Sequence, residues 1–210
     1  AQLSAQEELS EADLNKIFKQ ADVRTVVAVD VKTGRAIWKQ PVDLTGCGGN
    51  ALAAICTDEV LLFCAALKNG HYTSRFLSGN LRSVRAAALS TKDGSLLWAK
   101  SLGYCIRPLV LGDKVFNVKR AGVLKAGNIK NGGRLWQLRL KGPFSATPVA
   151  AGKYLYFFNE AGLMQVVDTT AKEGEIVGKL NLDDQILGSP AVGGGAIYVR
   201  TNTKIYKVAK

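Results

Sequence analysis

Few side chains in this sequence are placed to do chemistry. The 210 residues contain one histidine, His71, and four cysteines, Cys47, Cys56, Cys64 and Cys105. The cysteines are separated by 9, 8 and 41 positions, so no Cys-x-x-Cys occurs and a lone histidine cannot complete a Cys2His2 zinc set. No metal ligands and no catalytic residues are expected. His71 lacks a serine or cysteine partner with an orienting carboxylate, and reads as a solvated loop histidine. Cys56 and Cys64 fall in apolar runs, where buried, inert thiols are expected. The stronger signal is charge: 28 Lys and Arg against 17 Asp and Glu leave a net +11, which favours anionic partners. Aromatic residues interleave with these cations in loop-like stretches. Lys68, His71, Tyr72, Arg75, Phe76, Arg82, Tyr104 and Lys141 form the candidate binding set, suited to a protein or other anionic macromolecule such as an acidic peptide or polysaccharide. Specific nucleic-acid recognition is not expected, because no helix-turn-helix, RNA-recognition signature or zinc finger is present and scattered charge alone binds non-specifically.

The elements that must position these residues repeat. Val27 through Trp38 matches Ala87 through Trp98, and matches again Lys125 through Trp136. A degenerate fourth copy runs from Val166 to Gly178, with two residues added before the turn and Gly178 in place of the tryptophan. The turn glycines Gly34, Gly94, Gly132 and Gly174 are spaced by 60, 38 and 42. In each copy an apolar strand ends in Asp, Ser or Asn, whose side chains start turns by bonding to nearby backbone. A glycine then supplies the positive φ of a tight hairpin, and a second strand follows. Each copy is followed by another hairpin of two short apolar strands, such as Leu109–Leu111 with Val115–Val118 and Thr147–Ala150 with Tyr154–Phe158. Four antiparallel strands repeating about every 40 residues predict an all-β propeller.

The residues Ala-x-Asp-x-x-Thr-Gly-x-x-x-Trp at 28–38, followed by a Gly-rich hairpin, resemble the pyrroloquinoline-quinone-like (PQQ-like) β-propeller repeat over roughly 24–210. That repeat occurs in quinoprotein alcohol dehydrogenases, in the outer-membrane assembly lipoprotein of the β-barrel machinery, and in large exported bacterial proteins. The resemblance speaks for a fold more than for a function, because most carriers bind no quinone. It implies a non-catalytic exported protein, periplasmic or extracellular, and no cofactor. The alternative is a fragment or subunit of a PQQ-dependent quinoprotein oxidoreductase, which would bring PQQ and Ca2+. Enzymes of that family use a vicinal disulfide and a Ca2+ held by Glu, Asn and Asp, whereas this sequence has no Cys-Cys pair and places its acidic residues mostly in turns and near the N-terminus.

Full sets of four strands are expected at about 50–100, 104–141 and 144–181, with three more strands at 188–208 and only a hairpin at 25–40. That makes four to five blades, either a small ring closed by an N-terminal strand or an incomplete ring that another chain completes. Residues 1–23 are expected to form a helical segment ahead of the propeller at 24–210, capped by Ser10 and carrying Leu14, Ile17, Phe18 and Ala21 on one apolar stripe. No apolar run nears the roughly 18 residues of a membrane-spanning helix. The sequence opens Ala1-Gln2-Leu3 without a charged n-region and apolar stretch, as a mature end left by signal cleavage would.

Alternating strand direction sorts the loops onto two faces. The Gly turns share one face with the short hairpins. The other carries the loops that lead into each blade, the mid-blade loops, and the long insertion at 68–82. Long loops on a rigid scaffold commonly carry function, so this second face is the expected binding face. Cys47 and Cys105 fall on it at equivalent positions of adjacent blades. A disulfide between them would close a long loop, contributing about 4 kcal/mol, if their Cα atoms come within about 7 Å.

Overall fold

The computed structural model describes residues 23–43, 50–66, 84–103 and 108–209. These form seventeen strands in five antiparallel sheets, each sheet built from strands consecutive in the chain. The first sheet is the hairpin β1 (Val23–Val29) and β2 (Ala36–Asp43). The second contains β3 (Asn50–Cys56), β4 (Val60–Ala66), β5 (Val84–Ser90) and β6 (Leu96–Gly103). The third contains β7 (Leu109–Leu111), β8 (Lys114–Val118), β9 (Val123–Asn128) and β10 (Arg134–Arg139). The fourth contains β11 (Val149–Ala151), β12 (Tyr154–Phe158), β13 (Leu163–Asp168) and β14 (Glu175–Asn181). The fifth has three strands, β15 (Ala191–Gly193), β16 (Ala196–Arg200) and β17 (Ile205–Val208). This is the expected series of propeller blades. The expected N-terminal helix lies outside the described residues.

Local chemistry makes the hairpins. Asp30 Oδ1 accepts from the backbone N–H of Lys32 and Thr33 at 2.9 and 2.8 Å, and Asn128 Oδ1 accepts from Lys130 and Asn131 at 2.8 and 3.2 Å. Each folds the chain back so that a glycine four residues on can close the turn: Gly34 donates to Asp30, Gly94 to Ser90 and Gly132 to Asn128. In the fourth sheet the two added residues move this bond, and Gly174 donates to Ala171 instead.

The tryptophans join one sheet to the next. The indole of Trp38 lies over Gly94, that of Trp98 over Gly132, and that of Trp136 over Gly174. A Cβ built on these glycines would sit 2.6 to 2.8 Å from the ring, so the positive φ of the turn and the close approach of the ring both demand glycine. Trp38 Nε1 donates to Thr91 O at 2.9 Å and Trp98 Nε1 donates to Ile129 O at 2.7 Å. The corresponding acceptor beside Trp136 is Thr169 O, which instead accepts from Lys114 Nζ at 2.8 Å. Trp136 Nε1 is buried without a partner among the described residues.

Because each inner sheet lies between two others, residues on both of its faces are buried. Ala86 to Leu89 are all buried, as are Val115 to Val118. The ends of the series differ. On β1 and β2, Val26, Trp38 and Val42 pack on Ala87 and Leu89 of the second sheet, while Val27, Val29 and Ile37 on the other face are 43%, 50% and 63% exposed. At the far end Ile205 is 76% exposed. Among the described residues, neither β1 nor β2 pairs with the fifth sheet. The expectation that an N-terminal strand completes the last blade is therefore not met by β1 or β2, which pair with each other.

One burial expectation also fails. Cys56 is exposed, and its thiol donates to Thr57 O at 3.3 Å. Cys56 pairs with Leu61 and so shares the face that meets the first sheet, where two strands among the described residues stand to cover it.

Candidate functional site

The loop arrangement divides into two faces as expected. On the turn face each sheet is tied to its own glycine turn: Thr91 N donates to Glu59 O, Ile129 N to Asp113 O and Thr169 N to Lys153 O. On the opposite face the loops of successive sheets are tied to one another. Phe144 N donates to Arg120 O, Glu160 N to Pro143 O, Ile186 N to Glu160 O and Asn202 N to Gln185 O. This backbone belt links the third, fourth and fifth sheets and holds their loops in fixed register. A peptide bond buried without such partners would carry a desolvation penalty, so the belt is also what lets these loops pack closely.

Of the candidate binding residues, Lys68, His71, Tyr72, Arg75, Phe76, Arg82 and Tyr104 lie outside the described residues, as do Cys47 and Cys105. Lys141 is described. Its N–H donates to Gln165 Oε1 at 2.9 Å, and its carbonyl accepts from Gln165 Nε2 and Asn159 Nδ2, both at 3.0 Å. Gln165 and Asn159 are each 1% exposed, so two buried amides clamp the peptide of Lys141 while its side chain remains exposed.

Other charges on this face are already matched. Arg120 grips Glu160 through Nε and Nη2, at 2.7 to 3.1 Å, and Ser145 Oγ donates to the same carboxylate at 2.6 Å. The Ser145 hydroxyl, and then the guanidinium, hold Glu160 below its ordinary carboxyl pKa. Asp184 accepts from the N–H and hydroxyl of Thr203, at 2.9 and 2.7 Å. Hydroxyl donation from Thr201 and Thr203 brings its pKa down to about 2. These groups fasten one loop to the next.

A less filled site lies between the outer strands of the second and third sheets. A cleft of about 160 Å³ is lined there by Trp98 and Lys100 of β6, Asn117 of β8, Lys125 of β9, Gly132, and Arg134 of β10. Lys100 Nζ is held over the turn by Asn131 O at 3.3 Å and Gly132 O at 2.8 Å. The equivalent interface between the third and fourth sheets is packed. Registering the hairpins on Gly112 and Gly152 makes Asn117 equivalent to Phe157, Lys125 to Gln165 and Gly127 to Val167. Phe157 and Val167 are buried in the largest apolar cluster, against Trp136 and Leu155. Aligning the copies residue by residue, rather than by their glycines and tryptophans, is the signal that marks this cleft in the sequence.

Among the described residues no cluster of His, Cys, Asp and Glu could hold a metal ion, and no helix is long and apolar enough to cross a membrane. In architecture, the chain matches a crystal structure of the C-terminal WD40 domain of Sif2 over 87% of its own length and 51% of that chain, with a TM-score of 0.60 at 13% identity. It also matches the computationally designed Ika8 protein over 87% of its length and 52% of that chain, with a TM-score of 0.58 at 12% identity. These likenesses show the propeller fold. By sequence, it is 25% identical over 179 residues to the outer membrane protein assembly factor BamB of Legionella pneumophila (strain Paris), spanning 83% of this chain and 43% of the relative. It is 24% identical over 192 residues to the BamB of Moranella endobia (strain PCIT), spanning 90% of this chain and 47% of the relative. The chain thus spans less than half the length of these relatives. The family model described as outer membrane protein assembly factor BamB matches residues 23–162 and 120–209, and the chain belongs to that family.

Proposed function

We propose that this chain is a non-catalytic propeller that scaffolds a protein assembly outside the cytoplasm, in the periplasm or beyond, and that it recognises an acidic partner through the belted loop face. Membership of a family described as an assembly factor carries this reading. The belt supports it at the third to fifth sheets, where Lys141 lies, because loops locked to one another present a binding surface with little ordering left to do. Lys68, His71, Tyr72, Arg75, Phe76, Arg82, Tyr104 and Lys141 are the residues assigned to it. The reading needs neither PQQ nor Ca2+, and titration with both together is expected to show no saturable binding. The uncovered face of β1 and β2, bearing Val27, Val29 and Ile37, is where a further sheet would pack, from this polypeptide or from another chain. Replacing Arg75 and Arg82 together by Ala is expected to weaken binding of an acidic peptide by about tenfold with thermal stability nearly unchanged. Unaltered affinity would remove the loop face from the account.

A further inference from the structure

We infer that the outer cleft between the second and third sheets is a second anion site, one that takes the carboxylates of an extended acidic peptide. It does not depend on the 68–82 face.

Three cations line the cleft, Lys100, Lys125 and Arg134, and no Asp or Glu does. The ion pairs among the described residues are Arg120–Glu160, Lys130–Glu59 and Lys153–Asp168, so Lys125 and Arg134 have no carboxylate partner there. Lys100 is positioned rather than loose. Two backbone carbonyls fix its ammonium at the rim, and an ammonium has three donors, which leaves one for a ligand. Arg134 adds a planar fork suited to bidentate capture of a carboxylate. The low-dielectric wall comes from Trp98, which is 7% exposed.

The shape favours a peptide. At about 160 Å³ the cleft admits a side-chain carboxylate with accompanying water, but not a large rigid ligand. β6 is the outermost strand of its sheet, and among the described residues its outer backbone edge beside the cleft is unpaired. An extended segment lying along that edge would point alternate side chains toward Lys125 and Arg134. The interface between the third and fourth sheets has no such opening, because Phe157 and Val167 fill the same space there.

The test is a titration of the full chain with capped hexaglutamate, reading the indole N–H signal of Trp98 by NMR. Saturable binding that moves Trp98, and that Lys125→Gln with Arg134→Gln weakens by about tenfold, is the expected result. The control pair Lys92→Gln with Lys207→Gln, at exposed positions away from the cleft, should leave it unchanged. No movement of Trp98, equal weakening by the control pair, or equal binding of oligothymidylate would overturn the inference. Arg75→Ala with Arg82→Ala separates the two sites. If that variant abolishes the Trp98 response, the peptide binds at the loop face and this cleft falls while the proposed function stands. If it leaves the response intact, the cleft acts independently.

Discussion

The interfaces on either side of the third sheet are built from equivalent strands and end differently. Toward the fourth sheet, Trp136, Leu155, Phe157 and Val167 close into a dry cluster. Toward the second sheet, Trp98 covers Gly132 just as Trp136 covers Gly174, but Asn117, Lys125 and Gly127 leave a cleft above it. The satisfied indole, Trp98, belongs to the open interface, and the indole without a partner belongs to the packed one. Apolar area holds the packed side together. The open side keeps a smaller apolar cluster of Val60, Leu62, Ala86, Ala88, Trp98, Val115 and Ile129, with the hydrogen bonds of Trp98 and Lys100 and the wedge of the ring. A repeated sheet can therefore give up part of its packing to make a site while keeping the wedge that sets the angle between blades.

Exchanging the equivalent residues should break this contrast most strongly. Phe157→Asn empties a filled site and buries an amide, and is expected to cost about 3–5 kcal/mol. Asn117→Phe fills an existing void and should change stability by less than about 1.5 kcal/mol in either direction. Denaturant midpoints measure both, and equal costs would mean that the two interfaces are alike.

A smaller contrast separates wedged turns from an open one. Gly132→Ala meets both the strained φ of +64° and the Trp98 ring at 2.8 Å. Gly34→Ala meets a φ of +69° and no atom within 4 Å, because no sheet among the described residues packs on that turn. Gly132→Ala should therefore be worse than Gly34→Ala by about 1–3 kcal/mol in thermal or chemical unfolding.

The smallest effect depends on pH. The turn of the third sheet is capped by neutral Asn128, that of the fourth by Asp168. The Lys153 ammonium at 2.7 Å, and then Thr170, bring the pKa of Asp168 from 3.8 down to about 2. A carboxyl whose folded pKa is lowered stabilises the fold above its unfolded pKa, and that stability is lost as the folded carboxyl protonates. Stability should fall as pH drops below 3.8 and through about 2, and Asp168→Asn should flatten that slope. Asp184, also at about 2, remains in the variant with Glu160, Asp30 and Asp93, whose pKa values are also lowered, so part of the slope persists. An acid titration of the unfolding midpoint checks this.

The blades were legible in the sequence because their punctuation is local. Asp30, Ser90 and Asn128 start turns, glycines close them, and tryptophans follow at fixed distance, so strand sets and the two loop faces could be placed without contacts. Burial at Cys56 was misread because it depends on how many strands the neighbouring sheet brings, which an apolar run cannot reveal. The cleft was missed for a related reason. Asn117 and Lys125 look unremarkable within their strands and acquire meaning only opposite Trp98 of another sheet. Trp136 shows the same limit, since the carbonyl equivalent to its acceptor, Thr169 O, accepts from Lys114, which lies far from both in the sequence.

The account rests on tryptophans wedged between consecutive blades, and the three indole N–H groups report on that directly. Hydrogen exchange and chemical shift of these protons by NMR should show three resolved signals, all slowed relative to a free indole. Those of Trp38 and Trp98 should lie downfield as hydrogen-bonded donors and that of Trp136 upfield of both. Three coincident signals exchanging as in an unfolded peptide would place the rings in water and contradict it.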